Sequence, residues 1–134
     1  MRRDELRGEV VSVYFGGGTP SLLYKKELLS ILEAIKDNFS LTESVEITLE
    51  ANPEDLTPEY YQMIASKGIN RLSIGIQSFQ DKNLVLMNRN HQASDSIQAI
   101  KNAQEAGIST ISIDLIYGIQ GLSQADWIKN LNFR

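Results

Sequence analysis

The sequence has 134 residues, 42% of them hydrophobic, which suffices for one soluble domain with a packed core. Its formal net charge is −4 with no block of like charge, so nothing suggests a nucleic-acid groove or an anionic-membrane patch, and no window reaches the apolar length of a membrane span. There is no cysteine, which excludes disulfides, thiol catalysis and thiolate-held metal within this chain. Met1-Arg2-Arg3 is followed at once by Asp4 and Glu5 rather than by a signal-peptide core, so the cytoplasm is the expected compartment.

Met1–Glu9 is charged and reads as the tail of a helix or a linker. Val10–Phe15 favours a strand, and it runs into Gly16, Gly17 and Gly18, then Thr19, Pro20 and Ser21. Glycines there bare the peptide groups to a ligand, and a helix starting just beyond is expected to aim unpaired N–H groups at the same place. Tyr24–Phe39 reads as that helix, with Leu28, Leu32, Ile35 and Phe39 on one stripe. Val45–Glu50 alternates as a second strand. Thr57 and Pro58 then open a helix that Gly68 closes.

Arg71–Gln77 is the third strand, and Asp81–Asn88 a short helix within a longer connection. Ser94 is the expected cap of the next helix, whose Ile97, Ile100 and Ala103 face one way and which Gly107 ends. Thr110–Tyr117 is the fourth strand, and Ser123 with Asp126 marks a capping box for a last helix.

Strands alternating with amphipathic helices imply a parallel sheet with right-handed crossovers, an α/β fold. The strand faces choose between a doubly wound sheet and a barrel. Val45, Ile47 and Leu49 oppose Glu46, Thr48 and Glu50; Leu72, Ile74 and Ile76 oppose Arg71, Ser73, Gly75 and Gln77; Ile111, Ile113 and Leu115 oppose Thr110, Ser112 and Asp114. One face suits covering helices, whereas the other is small and polar. An ordinary closed barrel fills its interior with branched apolar layers, so a polar interior implies a wider barrel that holds ligand and water. A complete barrel needs roughly 200 residues or more, so the chain reads as a fragment of about four strands with helices on the outer face.

Glu50, Gln77 and Asp114 stand at the C-terminal ends of three strands on the polar face. With the Gly16–Thr19 loop they converge on the rim where such folds place their chemistry, and Arg89 lies on a nearby loop. No metal-ligand cluster or serine–histidine–acid set is evident, so the groups look like holders of a polar zwitterionic or hydroxyl-rich ligand. Taken singly, each has an ordinary structural reading: a turn for the glycines, a solvated strand-end acid for Glu50, a turn cap for Asp114, backbone pairing for Gln77, surface charge for Arg89, an exposed imidazole for His91. Their shared face and shared end favour a site.

YFGGGTPSLL at 14–23, LEANPEDLT at 49–57, RLSIGIQSF at 71–79, NRNH at 88–91 and IDLIYGI at 113–119 together resemble the oxygen-independent coproporphyrinogen III oxidase family of radical S-adenosylmethionine proteins. The resemblance runs from about Val10 to Leu131, and IGIQSF with the histidine of NRNH lies closer to the haem-chaperone branch than to the true oxidases. It implies a partial (β/α) barrel, a [4Fe–4S] cluster and S-adenosylmethionine. Reductive cleavage of that cofactor gives a 5′-deoxyadenosyl radical, which in the true oxidases starts decarboxylation of coproporphyrinogen III to protoporphyrinogen IX. Gly17 and Glu50 match positions contacting the cluster-bound S-adenosylmethionine; Gly18, Thr19, Gln77, Arg89 and Asp114 match positions contacting a second such molecule in the oxidases.

The family binds its cluster through a CxxxCxxC motif, which should precede this chain, and Gln120 stands where proline is usual. Residues 1–134 are therefore expected to be part of one radical S-adenosylmethionine core domain, without its cluster loop and C-terminal domain, and inactive alone. The parent protein is expected to be an oxidoreductase of porphyrin or haem metabolism with porphyrinogen or haem as partner. The alternatives are a non-catalytic haem chaperone, handing haem to membrane-surface acceptors, a phosphate-binding (β/α)-barrel enzyme, or a structural remnant. Four strands leave two open sheet edges, so self-association is expected.

Overall fold

The computed structural model describes residues 8–133. Met1–Arg7, most of the expected helix tail or linker, and Arg134 lie outside the described residues. The elements are β1 (Val10–Phe15), α1 (Lys25–Asn38), β2 (Leu41–Ala51), α2 (Pro58–Ser66), β3 (Arg71–Gln77), α3 (Asp81–Leu86), α4 (Ala93–Glu105), β4 (Thr110–Leu115) and α5 (Gln124–Leu131). Short 3-10 turns occupy Pro20–Leu22 and Pro53–Asp55.

All strand pairs are parallel and the sheet order is β1-β2-β3-β4. A doubly wound sheet reverses its order once and carries helices on both faces. An unbroken sequential order with right-handed crossovers puts the connecting helices on one face, as in an arc of a (β/α) barrel. The register lines up residues of like character. Phe15, Leu49, Leu72 and Ile111 form one cross-strand row, and Glu50, Ser73 and Ser112 form a row beside it on the opposite face.

The core lies between the sheet and the helices. Leu28 and Leu32 of α1, Tyr61 and Ile64 of α2 and Ala99 and Ala103 of α4 pack over Ile47, Leu49, Leu72, Ile74 and Ile76. The three apolar residues of β3 have no exposed surface. Burial of each contributes on the order of 1.5–3 kcal/mol, which makes β3 the centre of the fold's stability.

Four local expectations are corrected. β2 begins at Leu41, four residues before Val45, because Val10 pairs with Leu41 ahead of a register shift and its N–H donates to the Ser40 carbonyl at 2.8 Å. α4 begins at Ala93 with Gln92, not Ser94, as its cap: the Asp95 carboxylate accepts the Gln92 N–H at 2.8 Å and Asp81 accepts that of Ala93 at 2.8 Å. The buried stripe of α4 is Ser96, Ala99 and Ala103 rather than Ile97, Ile100 and Ala103. The small residues face the core, and the two isoleucines line a groove beside it instead. On the edge strand β4, Ile113 is 38% exposed and lines that groove rather than a sealed core.

Candidate functional site

Glu50 is the penultimate residue of β2 on the polar face, and two elements fix its carboxylate. The Tyr14 hydroxyl of β1 donates to Oε1 at 2.7 Å, and the Gly17 N–H donates to Oε2 at 3.1 Å. The carboxylate beside it, together with desolvation, holds the Tyr14 phenol above its usual ionisation range, against a smaller opposing effect of Ser73. On β3, Ser73 donates to Asp114 Oδ2 at 3.4 Å, which links the body of β3 to the end of β4. Gln77 terminates β3 with φ of 67° beyond an irregular register, and Thr19 on the glycine loop has φ of 55°. Left-handed backbone at a non-glycine residue is costly, and such positions gather at binding sites.

Gly17, Thr19, Glu50, Asn52, Ser73, Gly75, Gln77 and Asp114, with Ala51, line one cavity of about 180 Å³ at the C-terminal end of the strands. Gly75 forms part of its floor. A Cβ there would stand 2.7 Å from Gln77 Nε2 and 3.2 Å from Asn52 Oδ1, so only glycine leaves those amides where they are. Five of the seven expected site residues thus share one cavity: Gly17, Thr19, Glu50, Gln77 and Asp114. Gly18 is not among its lining residues. Arg89 sits beside it, donating from Nη2 to the Asn52 side-chain oxygen and, at 3.2 Å, to the Gly75 carbonyl. One nitrogen of its guanidinium is thus engaged by the protein.

Tyr14, Asn52, Ser73 and Gly75 were not singled out from the sequence. The signal for Tyr14 was present, because Val13 and Phe15 pack on the core and the strand period puts Tyr14 on the opposite face. Deeper on the polar face, Arg71 donates to Thr48 and Ser112, each at 3.3 Å, and lies 3.8 Å from Glu46. This network satisfies the interior of the arc.

The loop after Gly18 differs from expectation. A 3-10 turn at Pro20–Leu22 intervenes, Pro20 has no N–H, and α1 begins only at Lys25, where Glu27 accepts the Tyr24 N–H at 3.0 Å. Among the described residues, no free helix N-terminus follows the glycines directly. His91 is also not an exposed imidazole. Its side chain is fully buried, with Nε2 3.1 Å from the Ile76 carbonyl and Nδ1 2.9 Å from Glu54. It ties the end of β3 to the turn after β2, two residues beyond Arg89.

The loop after β3 is clasped by α5. Asn130 Oδ1 accepts from Ser78 and from the Phe79 N–H at 2.9 Å, and Gln80 donates to the Asp126 carbonyl at 2.8 Å. Lys82, Ser123 and Lys129 surround the Asp126 carboxylate and hold its ionisation well below the ordinary range.

The sequence profile of the radical SAM superfamily matches residues 1–133. The chain belongs to the radical S-adenosylmethionine superfamily.

Among its relatives are radical S-adenosyl methionine domain-containing protein 1, mitochondrial, of Bos taurus, 38% identical over 91% of this chain and 28% of the relative. The heme chaperone HemW of Mycobacterium tuberculosis is 37% identical over 92% of this chain and 32% of the relative. Of solved structures, the coproporphyrinogen III oxidase HemN of Escherichia coli, described as a radical SAM enzyme, superposes with a TM-score of 0.84. It is 28% identical over 92% of this chain and 28% of that one. The chain is HemN/HemW-like within the superfamily, and it spans less than a third of the length of these relatives.

The family implies S-adenosylmethionine and an iron–sulfur cluster, and the two fare differently against the residues present. Two acids, two primary amides and glycine peptide groups around one polar cavity match the ammonium and hydroxyl groups of S-adenosylmethionine. A cluster has no ligands here: the chain has no cysteine, and among the described residues no three metal-binding side chains gather.

Proposed function

We propose that this chain is part of one radical S-adenosylmethionine core domain and contributes the rim that binds the cofactor. The observation that carries the reading is the convergence of Gly17, Thr19, Glu50, Gln77 and Asp114 on a single cavity at the strand ends. Glu50 and Asp114 accept from the methionine ammonium or the ribose hydroxyls, and the Gln77 amide both donates and accepts. Gly18 lies on the same loop beside Gly17 and Thr19, outside the residues that line the cavity. Arg89 supports the floor through Asn52 and Gly75. S-Adenosylmethionine supplies radical chemistry to this family. With no cluster ligand among these residues, the chain alone is inactive, and incubation with S-adenosylmethionine and a strong reductant releases no 5′-deoxyadenosine.

The parent protein acts in porphyrin or haem metabolism. Similarity to a heme chaperone supports haem trafficking and similarity to HemN supports porphyrinogen decarboxylation; the resemblance of IGIQSF and the NRNH histidine to the chaperone branch favours the first. Haem transfer by the parent without porphyrinogen decarboxylation is the expected result. The phosphate-binding alternative loses support because α1 is capped away from the loop and Gly17 N–H is already spent on Glu50. Titration calorimetry of the chain with S-adenosylmethionine and with inorganic phosphate separates these readings. Binding of the first alone is expected, and binding of phosphate alone overturns the proposal. Edge strands β1 and β4 lack a further neighbour in the described sheet, so concentration-dependent association in sedimentation velocity is also expected.

A further inference from the structure

We propose that Tyr14 is the positioning residue of this site, its hydroxyl locking the Glu50 carboxylate in the orientation that receives the ligand. The inference rests on the reading that Glu50 binds S-adenosylmethionine. Three observations on the first strand carry it.

Both Glu50 oxygens are anchored from β1 and its loop, Oε1 by the Tyr14 hydroxyl at 2.7 Å and Oε2 by the Gly17 N–H at 3.1 Å. Each carboxylate oxygen accepts more than one hydrogen bond, so capacity for a ligand remains while the plane of the group is fixed. A side chain ordered before binding loses less freedom when the ligand arrives.

The second observation is Gly16. A Cβ there would lie 2.6 Å from Tyr14 Cε1, 3.0 Å from Cδ1 and 3.0 Å from Glu50 Oε1. The phenol ring and the carboxylate together fill the space that any other residue's side chain would enter. The first glycine of the triplet is thus accounted for by the Tyr14–Glu50 pair, whereas Gly17, with φ of 102°, is accounted for by its backbone.

Third, Tyr14 is 56% exposed and stands outside the core cluster to which Val13 and Phe15 of the same strand contribute. Its ring does little for stability, and its polar tip points to the acid. The raised ionisation range of the phenol accords with a neutral donor facing a charged acceptor.

Tyr14→Phe keeps the ring against Gly16 and removes only the donor. S-Adenosylmethionine affinity, measured by titration calorimetry on the chain, is expected to fall roughly three- to tenfold with an unchanged melting temperature, the effect of one lost hydrogen bond to a charged group. Gly16→Ala, which displaces the ring, is expected to give at least the same loss. A ligand-free readout accompanies these: in absorbance titrations Glu50→Gln returns the Tyr14 phenol toward ordinary tyrosine behaviour, as the difference from the same variant carrying Tyr14→Phe. If Glu50→Gln weakens binding and Tyr14→Phe leaves it within twofold of wild type, positioning is overturned while the site stands. If Glu50→Gln itself leaves affinity unchanged, the reading of the site and this inference fall together.

Discussion

The two faces of the sheet are built from alternate residues of the same strands, yet they do different things. On the helix side Leu72, Ile74 and Ile76 are completely buried and interchangeable in kind, since each needs only to be apolar and of the right volume. On the inner side Glu50, Ser73, Gln77 and Asp114 are individual: each has its own partner or lines the cavity in its own way. A parallel sheet in a closed barrel usually has no such contrast. Stability is concentrated on one face, the proposed binding lies on the other, and substitutions can pull the two apart.

Leu72→Ala, in the middle of the helix side, should cost about 3–4 kcal/mol in urea denaturation, because it removes transfer energy and leaves a cavity. Ligand affinity of the folded fraction should hold. A cost below about 1 kcal/mol would show that the helix face does not carry the fold.

Tyr61, buried in the same layer, sharpens the point in alkali. Burial pushes its phenol up to about 12. A group whose folded value is raised stabilises fully below the unfolded value near 10 and loses that contribution as pH climbs to the folded one. The chain should therefore lose up to about 2–3 kcal/mol between pH 10 and 12, and Tyr61→Phe should flatten that limb of the circular dichroism titration.

On the inner side Glu50→Gln should weaken S-adenosylmethionine binding about tenfold or more, about 1.4 kcal/mol, while melting within a few degrees of wild type. A collapse in melting temperature would mean that the polar face is structural after all. The smallest effect belongs to Asp126. Lys82, Ser123 and Lys129 depress its ionisation, so its contribution is present above the ordinary carboxylate range and fades only as pH falls through the lowered folded value. Fluorescence of the neighbouring Trp127 should report release of α5 in strong acid, and Asp126→Asn should make that signal insensitive to pH.

Much of this could be read from residue order alone, and the reasons are local. β1 and β3 stand where alternation and glycine punctuation put them, and Thr57, Gly68 and Ser123 cap their helices as their chemistry dictates. Glu50, Gln77 and Asp114 were visible because period-two parity and strand ends are properties of the sequence. What escaped depends on contacts between distant segments. The rotation of α4 puts Ser96, Ala99 and Ala103 inward and leaves Ile97 and Ile100 on a neighbouring groove, a choice made by the elements it packs on, which periodicity does not encode. His91 is buried because Glu54 and the Ile76 carbonyl meet it from two other elements. Arg89 reads as a free cation until Asn52 and Gly75 are brought beneath it.

The central claim is that the inner rim of this arc is a cofactor site. An amide-resolved NMR titration of the chain with S-adenosylmethionine, up to millimolar concentrations, tests it most directly. Saturable shifts confined to Gly17, Thr19, Gln77, Asp114 and their neighbours are predicted. Unmoved signals at those residues, or shifts gathered on the helix side of the sheet, would contradict it.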